Sequence, residues 1–299
     1  LKRHSAAWFN AMYNNRELVP ESHEHLQFWQ QSSRRVLAQR HRPRFEMAYG
    51  HGEHENLDIY PVSATTPMAT GIKRPVLVFI HGGYWRSLYK EDHAFLVPAW
   101  TDLGVVSVVL NYALCPSVSM KHIALQMANA MAWIYQHIEH FGGDRSNIHV
   151  VGHSAGGHLA AMMLTTRWRE LGAHSGVEMP TSFIQSALSI SGLHELESIR
   201  RTPFLNDTLG LSAKDALALS PAYMPAPIGA RLVSVVGSLE SEEFKRQCHL
   251  IQSTWGKRTV PVSEEIQGLQ HFSILESFLD PHSRLMQLLK LNMRISLAH

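Results

Sequence analysis

The sequence is poor in cysteine, in excess charge of either sign and in long apolar runs. Two cysteines in 299 residues exclude a disulfide scaffold and any cysteine-ligated zinc knuckle or ribbon. A formal net charge of +2, with no long Lys/Arg run, argues against a nucleic-acid partner. No window approaches ~18 consecutive apolar residues, so no membrane partner is expected. The first ten residues, LKRHSAAWFN, lack the apolar stretch of a secretion signal. The expectation is a cytoplasmic protein with reduced thiols. Repeats and low-complexity tracts are absent as well.

Histidine, by contrast, is abundant. The chain has 20 of them, roughly three times ordinary usage. That raises a metal hypothesis, but H-E-x-x-H is missing, which excludes the zincin arrangement. The local pairs His23/His25, His51/His54 and His137/His140 lack the carboxylate or cysteine context of a defined site. His137 and His140 are better placed to complement the dipole of a helix C-terminus. No metal and no cofactor are therefore expected. Hydrophobic residues make up 45% and charged residues 17%, as in a folded globular chain.

The pattern along the chain is one of strands alternating with helices. Residues 1–42 read as one or two helices with Leu26, Trp29, Val36 and Leu37 as an apolar stripe. Phe45–Tyr49 and Asn56–Tyr60 read as short strands, and Ser63–Gly71 as a loop. Val76–Ile80, Val105–Leu110, Ile148–Val151, Ile184–Ile190 and Leu232–Val236 are continuous apolar runs of strand length. Such runs fit strands covered on both faces. Helices are expected over Met120–Phe141, ending at Gly142-Gly143, and over Gly156–Trp168, Ser241–Ser253 and Pro281–Asn292. The fold class this predicts is α/β, a doubly wound and mostly parallel sheet. One domain is expected over residues 1–299. Residues 1–42 would be a helical extension, and about 200–227 a small cap over the top edge. The extension is expected to act as a lid over the site or as a homodimer contact.

Four loops carry the chemistry. Gly152-His153-Ser154-Ala155-Gly156 matches G-x-S-x-G between a buried strand and a helix, the setting of a nucleophile on a strained turn. Ser154 is the candidate nucleophile, and the helix N-terminus beside it favours developing negative charge. His81-Gly82-Gly83-Tyr84-Trp85 follows the Val76–Ile80 strand, where such a sheet supplies oxyanion donors. The N–H groups of Gly82, Gly83 and Ala155 are the candidates, with Tyr84 N–H as an alternative. His81 precedes the nucleophile in the chain, so it is expected to hold the loop and not to act as a base. Tyr84 and Trp85 are candidate contacts to an aromatic substrate, with core packing an equal alternative. His153 and His158 are expected to pack or to line a pocket.

The remaining members of a triad should follow in the order acid, then histidine. Glu240 lies three residues past Gly237, at the end of the Leu232–Val236 strand, and is the candidate acid. Ser241 reads as a helix N-cap, with Glu242 and Glu243 in the first turn as surface residues, neither excluded as the acid. His271, after the expected strand Thr259–Ile266 and before a helix over Ser273–Leu279, is the candidate base. His282 is the competitor, expected on a helix that starts at Asp280-Pro281. Cys115 and Cys248 lack the strand–turn–helix setting of a nucleophile.

These strings together resemble the α/β-hydrolase superfamily. Within it the chain is similar to the kynurenine formamidase (arylformamidase) group, near the hormone-sensitive-lipase-like esterases. The matching residues are HGGYW at 81–85, NYALCP at 111–116, GHSAGGHLA at 152–160, E-S-x-E-F-x-R-Q from Glu240 to Gln247, and His271-Phe272. They span roughly residues 45–280. HGGYW in place of the esterases' HGGG points to the formamidases. The resemblance implies a triad of Ser154, Glu240 and His271, although the family acid is often Asp. It implies hydrolysis of N-formyl-L-kynurenine, a small aromatic substrate, through a formyl-serine. The H-x-G-T-H string of metal-dependent formamidases is absent. The alternatives are a carboxylesterase, amidase or carbamate hydrolase for a small aromatic substrate, and a catalytically inactive binding protein on the same fold.

Overall fold

Among the described residues, the computed structural model has eight strands: β1 (Phe45–Ala48), β2 (Asn56–Tyr60), β3 (Arg74–Ile80), β4 (Val106–Leu110), β5 (Gly143–His153), β6 (Ile184–Ile190), β7 (Arg231–Gly237) and β8 (Val262–Ile266). They form one sheet in the order β1-β2-β4-β3-β5-β6-β7-β8. β1, β2 and β4 pair antiparallel, and every later pairing is parallel. The structure describes residues 4–39, 44–62 and 72–295. The expected loop at 63–71 lies outside them.

The apolar runs explain the layering. In β3, Val76 to Ile80 are all fully buried, and alternate residues join different cores. Val76, Val78 and Ile80 pack with Ile123, Met127, Met131 and Leu159. Leu77 and Phe79 pack with Trp100, Phe278 and Leu285 on the other face. Side chains of a strand alternate between faces, so a continuous apolar run requires cover on both. The doubly wound, mostly parallel sheet expected from the pattern is the observed architecture.

Element ends differ where polar side chains or caps intervene. β5 begins five residues early, at Gly143, because its polar first half is only partly covered. The helix from Met120 stops at His137 and tightens into a 3-10 turn, Ile138–Phe141, closed by Gly142 at φ 80°. The expected Gly156–Trp168 helix ends at Thr165. There the Thr165 and Thr166 hydroxyls both donate to the Met162 carbonyl, competing with the backbone ladder. The last helix starts at Arg284 with Ser283 as N-cap. His282, expected on this helix, is therefore not helical; it sits in a turn where its N–H donates to Asp280. The N-terminal region forms three helices, Ala6–Tyr13, Asn15–Leu18 and Ser22–Leu37. Of its stripe, Trp29 and Val36 are buried.

Candidate active site

The parallel strands β3, β5, β6 and β7 all end at one edge, and the site is built from the loops that leave it. At the end of β5, Ser154 adopts φ 57°, ψ −118°. A non-glycine residue there stores about 1–3 kcal/mol of strain. The turn is held by Ser154 N–H to the Ile190 carbonyl (2.8 Å) and Gly157 N–H to the Ser154 carbonyl (2.9 Å). The flanking glycines are needed for close approach. A Cβ on Gly152 would collide with the Gly156 carbonyl, and one on Gly156 with the Ile80 carbonyl.

Glu240 and His271 meet across the end of β7. Glu240 Oε2 accepts from His271 Nδ1 at 2.7 Å. Its other oxygen accepts from the Ser191 hydroxyl at 2.6 Å and from Gly237 N–H at 2.8 Å. Both side chains are almost completely enclosed, at 7% exposure for His271 and 1% for Glu240. A proton held on Nδ1 leaves the Nε2 lone pair as the basic site. Ser154 and His271 line the same cavity, although no hydrogen bond joins their side chains here. Such contacts often tighten only when substrate binds. Glu242 is exposed. Glu243 is not the surface residue expected of a first helical turn: it is buried, accepting from Tyr13 and Arg246. Of the three glutamates, only Glu240 reaches the imidazole.

The loop after β3 is fixed from behind. The His81 ring stacks on Tyr112 at 4.1 Å, and its Nδ1–H donates to the Gly82 carbonyl at 2.8 Å. Tyr112 hydroxyl donates to the His81 carbonyl. Burial pushes the His81 imidazole down to about 3, so it stays neutral. A Cβ on Gly82 would stand 3.1 Å from Ser154 Cβ and 2.9 Å from the His153 carbonyl. Gly83 has φ +97°, and a Cβ there would strike the Ser87 carbonyl. Among the described residues, no backbone acceptor takes the N–H of Gly82, Gly83 or Ala155; of the three residues, Gly83 lines the cavity in front of Ser154. Free, preorganised N–H groups are what a developing oxyanion needs.

The cavity in front of Ser154 has a volume of about 510 Å³. Tyr84 lines it, and its hydroxyl donates to the Tyr13 carbonyl at 2.6 Å. Trp85 does not line it. Expected as a substrate contact or a core residue, Trp85 is fully buried and packs edge-on against His158 at 5.1 Å. The substrate role is therefore corrected to packing. His153 does line the cavity, donating from Nε2 to the His271 carbonyl at 2.9 Å. Its Nδ1 is buried without a partner. Burial and the nearby His271 hold the His153 imidazole well below its usual value. His158 is also buried, donating to the Leu219 carbonyl.

Several residues of the site were not singled out from sequence. Ser191, in a Ser-Gly turn after β6, supports the Glu240 carboxylate from outside the cavity wall. Asn14, Asn15 and Arg16 come from the N-terminal helices, and Phe204 and Thr208 from the region over the sheet edge. Only the tertiary fold brings these distant segments to the site. The N-terminal helix is docked by Tyr13 hydroxyl to Glu243 and by Ser241 hydroxyl to the Met12 carbonyl. Among the described residues, no group of three or more His, Cys, Asp or Glu side chains is arranged to hold a metal ion. None of their helices is long and apolar enough to cross a membrane. Both cysteines are buried free thiols, and burial pushes each up to about 11.

A serine in a G-x-S-x-G turn after β5, and a glutamate after β7 paired with a histidine after β8, on this sheet order, are the arrangement of an α/β-hydrolase. The BD-FAE family model matches residues 57–217, more than half of the chain. A kynurenine formamidase of Salmo salar is 31% identical over 250 residues, covering 81% of this chain and 79% of its own. A crystal structure from a Silicibacter species, described as a candidate thioesterase, is 25% identical with a TM-score of 0.78; the match covers 93% of this chain and 97% of that one. The hyperthermophilic esterase of Pyrobaculum calidifontis shares the fold, with a TM-score of 0.65 at 18% identity and 90% coverage of each chain. The chain belongs to the BD-FAE α/β-hydrolases and, within them, to the kynurenine formamidase-like group near the esterases; it is a hydrolase.

Proposed function

We propose that the protein is a metal-independent serine hydrolase that cleaves an aryl formamide, with N-formyl-L-kynurenine as the substrate. The observation that carries this is the Glu240–His271 pair at 2.7 Å opening onto the cavity of Ser154. His271 takes the Ser154 proton as the serine attacks the formyl carbonyl. The N–H groups of Gly82 or Gly83 and of Ala155 receive the oxyanion. His271, now protonated and paired with Glu240, gives its proton to the leaving aryl amine. Water, activated by the same histidine, then releases formate from the formyl-serine. An anilide nitrogen leaves more readily than an alkyl amine, which suits this chemistry.

The kynurenine formamidase relative supports the substrate, and so do aromatic side chains in the cavity wall, Tyr13, Trp29, Tyr84, Phe204 and Phe272. Aromatic pairs favour a planar aryl group there. The esterase likeness favours a second reading, cleavage of a small aromatic ester by the same residues. A kcat/KM panel separates them. N-formylkynurenine should exceed p-nitrophenyl acetate and neutral aryl carbamates. A large preference for the ester would replace the formamidase reading, and full activity in Ser154→Ala would remove the serine mechanism altogether.

A further inference from the structure

The cavity carries a charge that the acyl-transfer steps do not use. Arg86 and Arg16 both line it, and no Asp or Glu does. Neither guanidinium has a carboxylate partner among the described residues. Arg86 is held in place. Its Nη1 donates to the Phe204 carbonyl at 2.6 Å and to the Thr208 hydroxyl at 3.1 Å, and its guanidinium lies over the Phe204 ring at 5.5 Å. Its Nε and Nη2 have no partner, and neither is among the sealed, unpaired atoms. Those two N–H groups form the side of the guanidinium that accepts a carboxylate in a bidentate manner. Burial, and repulsion from Arg16, both work against the Arg86 charge. A half-buried cation without a counter-ion, beside a second cation, is relieved when an anion arrives.

We infer that Arg86, with Arg16 at the rim, forms a carboxylate subsite that selects anionic substrates for the Ser154 site. The inference rests on the proposed acyl-transfer site and names its substrate class: an aromatic amide or ester that carries a carboxylate away from the scissile bond. Arg86 is pre-oriented by the cap, so it supplies the directional contact. Arg16 is exposed and adds attraction that salt screens. This is a role in selectivity, separate from bond cleavage.

The probes are N-formylkynurenine and its carboxamide, which differ only in that charge. Their affinities are measured by calorimetry on the Ser154→Ala protein, where turnover does not intervene. The acid should bind about 10- to 100-fold more tightly than the carboxamide, as a charge-assisted bidentate pair provides. The preference should shrink at least tenfold in Ser154→Ala/Arg86→Met, shrink less in Ser154→Ala/Arg16→Gln, and decline with added salt. Arg16→Gln changes an exposed side chain, so it reports on the subsite even if the Arg86 variant misfolds. Equal affinities, no binding of either probe, or a preference unaffected by both substitutions would overturn the inference. Formate release by the wild-type protein is read separately. Its absence, with the acid preference intact, would remove the formamidase reading and leave the anion subsite standing.

Discussion

Acid should unfold this protein well before its carboxylates titrate, because several histidines are buried in the neutral form. Burial pushes His149, His158 and His194 down to about 4 and His81 to about 3. His158 donates Nε2–H to the Leu219 carbonyl and leaves Nδ1 buried without a partner, and His81 likewise leaves Nε2 without one, so a second proton on either ring would have no acceptor. In the unfolded chain the same groups titrate near 6.5. Between these values the unfolded state binds protons that the folded state refuses. The stability is therefore complete above pH 6.5 and is lost as the pH falls toward 4. From pH 7.5 to 5.5 each group costs about 1.3 kcal/mol, and the four together about 5 kcal/mol. That is comparable to the whole stability of many domains. Urea unfolding at the two pH values, followed by tryptophan fluorescence, measures it. With a slope of about 3 kcal/mol/M the midpoint should fall by about 1.5–2 M. His149→Gln should remove about a quarter of the difference, whatever it does to stability at pH 7.5. A midpoint unchanged between pH 7.5 and 5.5 would refute the argument that these imidazoles are buried uncharged.

Other perturbations test the site more directly. Glu240→Gln keeps the volume and removes the charge that stabilises the His271 imidazolium; kcat should fall about 10³- to 10⁴-fold with an unchanged melting temperature. Ser191→Ala removes one of two hydrogen bonds to the buried Glu240 oxygen. A loss of about 1.5–3 kcal/mol, read as lower stability and lower kcat, is expected, and wild-type values for both would deny Ser191 a role. Trp85→Ala should cost about 3–5 kcal/mol of stability as a core truncation. A raised KM with normal stability would return Trp85 to the substrate. Dialysis against EDTA should leave the rate unaltered, and a rate restored only by added zinc would contradict the serine mechanism.

The elements legible in the chain were those governed by neighbours in sequence. A continuous apolar run such as Val76–Ile80 must be a covered strand, since alternate side chains face opposite layers. Gly152 and Gly156 around Ser154 declare a sharp turn, and the order of Ser154, Glu240 and His271 follows from strands counted along the chain. Burial of individual polar and aromatic residues was not legible, because it depends on what the fold lays against them. Glu243 has the spacing of an exposed first-turn residue, yet Tyr13, from the other end of the chain, covers it. Trp85 sits in the loop of the candidate oxyanion donors, yet it turns into the core against His158. Nor was the burial of so many histidines legible: tertiary structure encloses His81, His149, His158 and His194, and desolvation lowers each of these imidazoles. The cavity was the most non-local feature of all. Its wall combines residues 13–16, the Arg86 loop and the Phe204–Thr208 helix, segments that meet only when the sheet edge collects them. Local rules thus determined the strands and the chain positions of the candidate triad, whereas long-range packing decided what lines the pocket and which charge it presents.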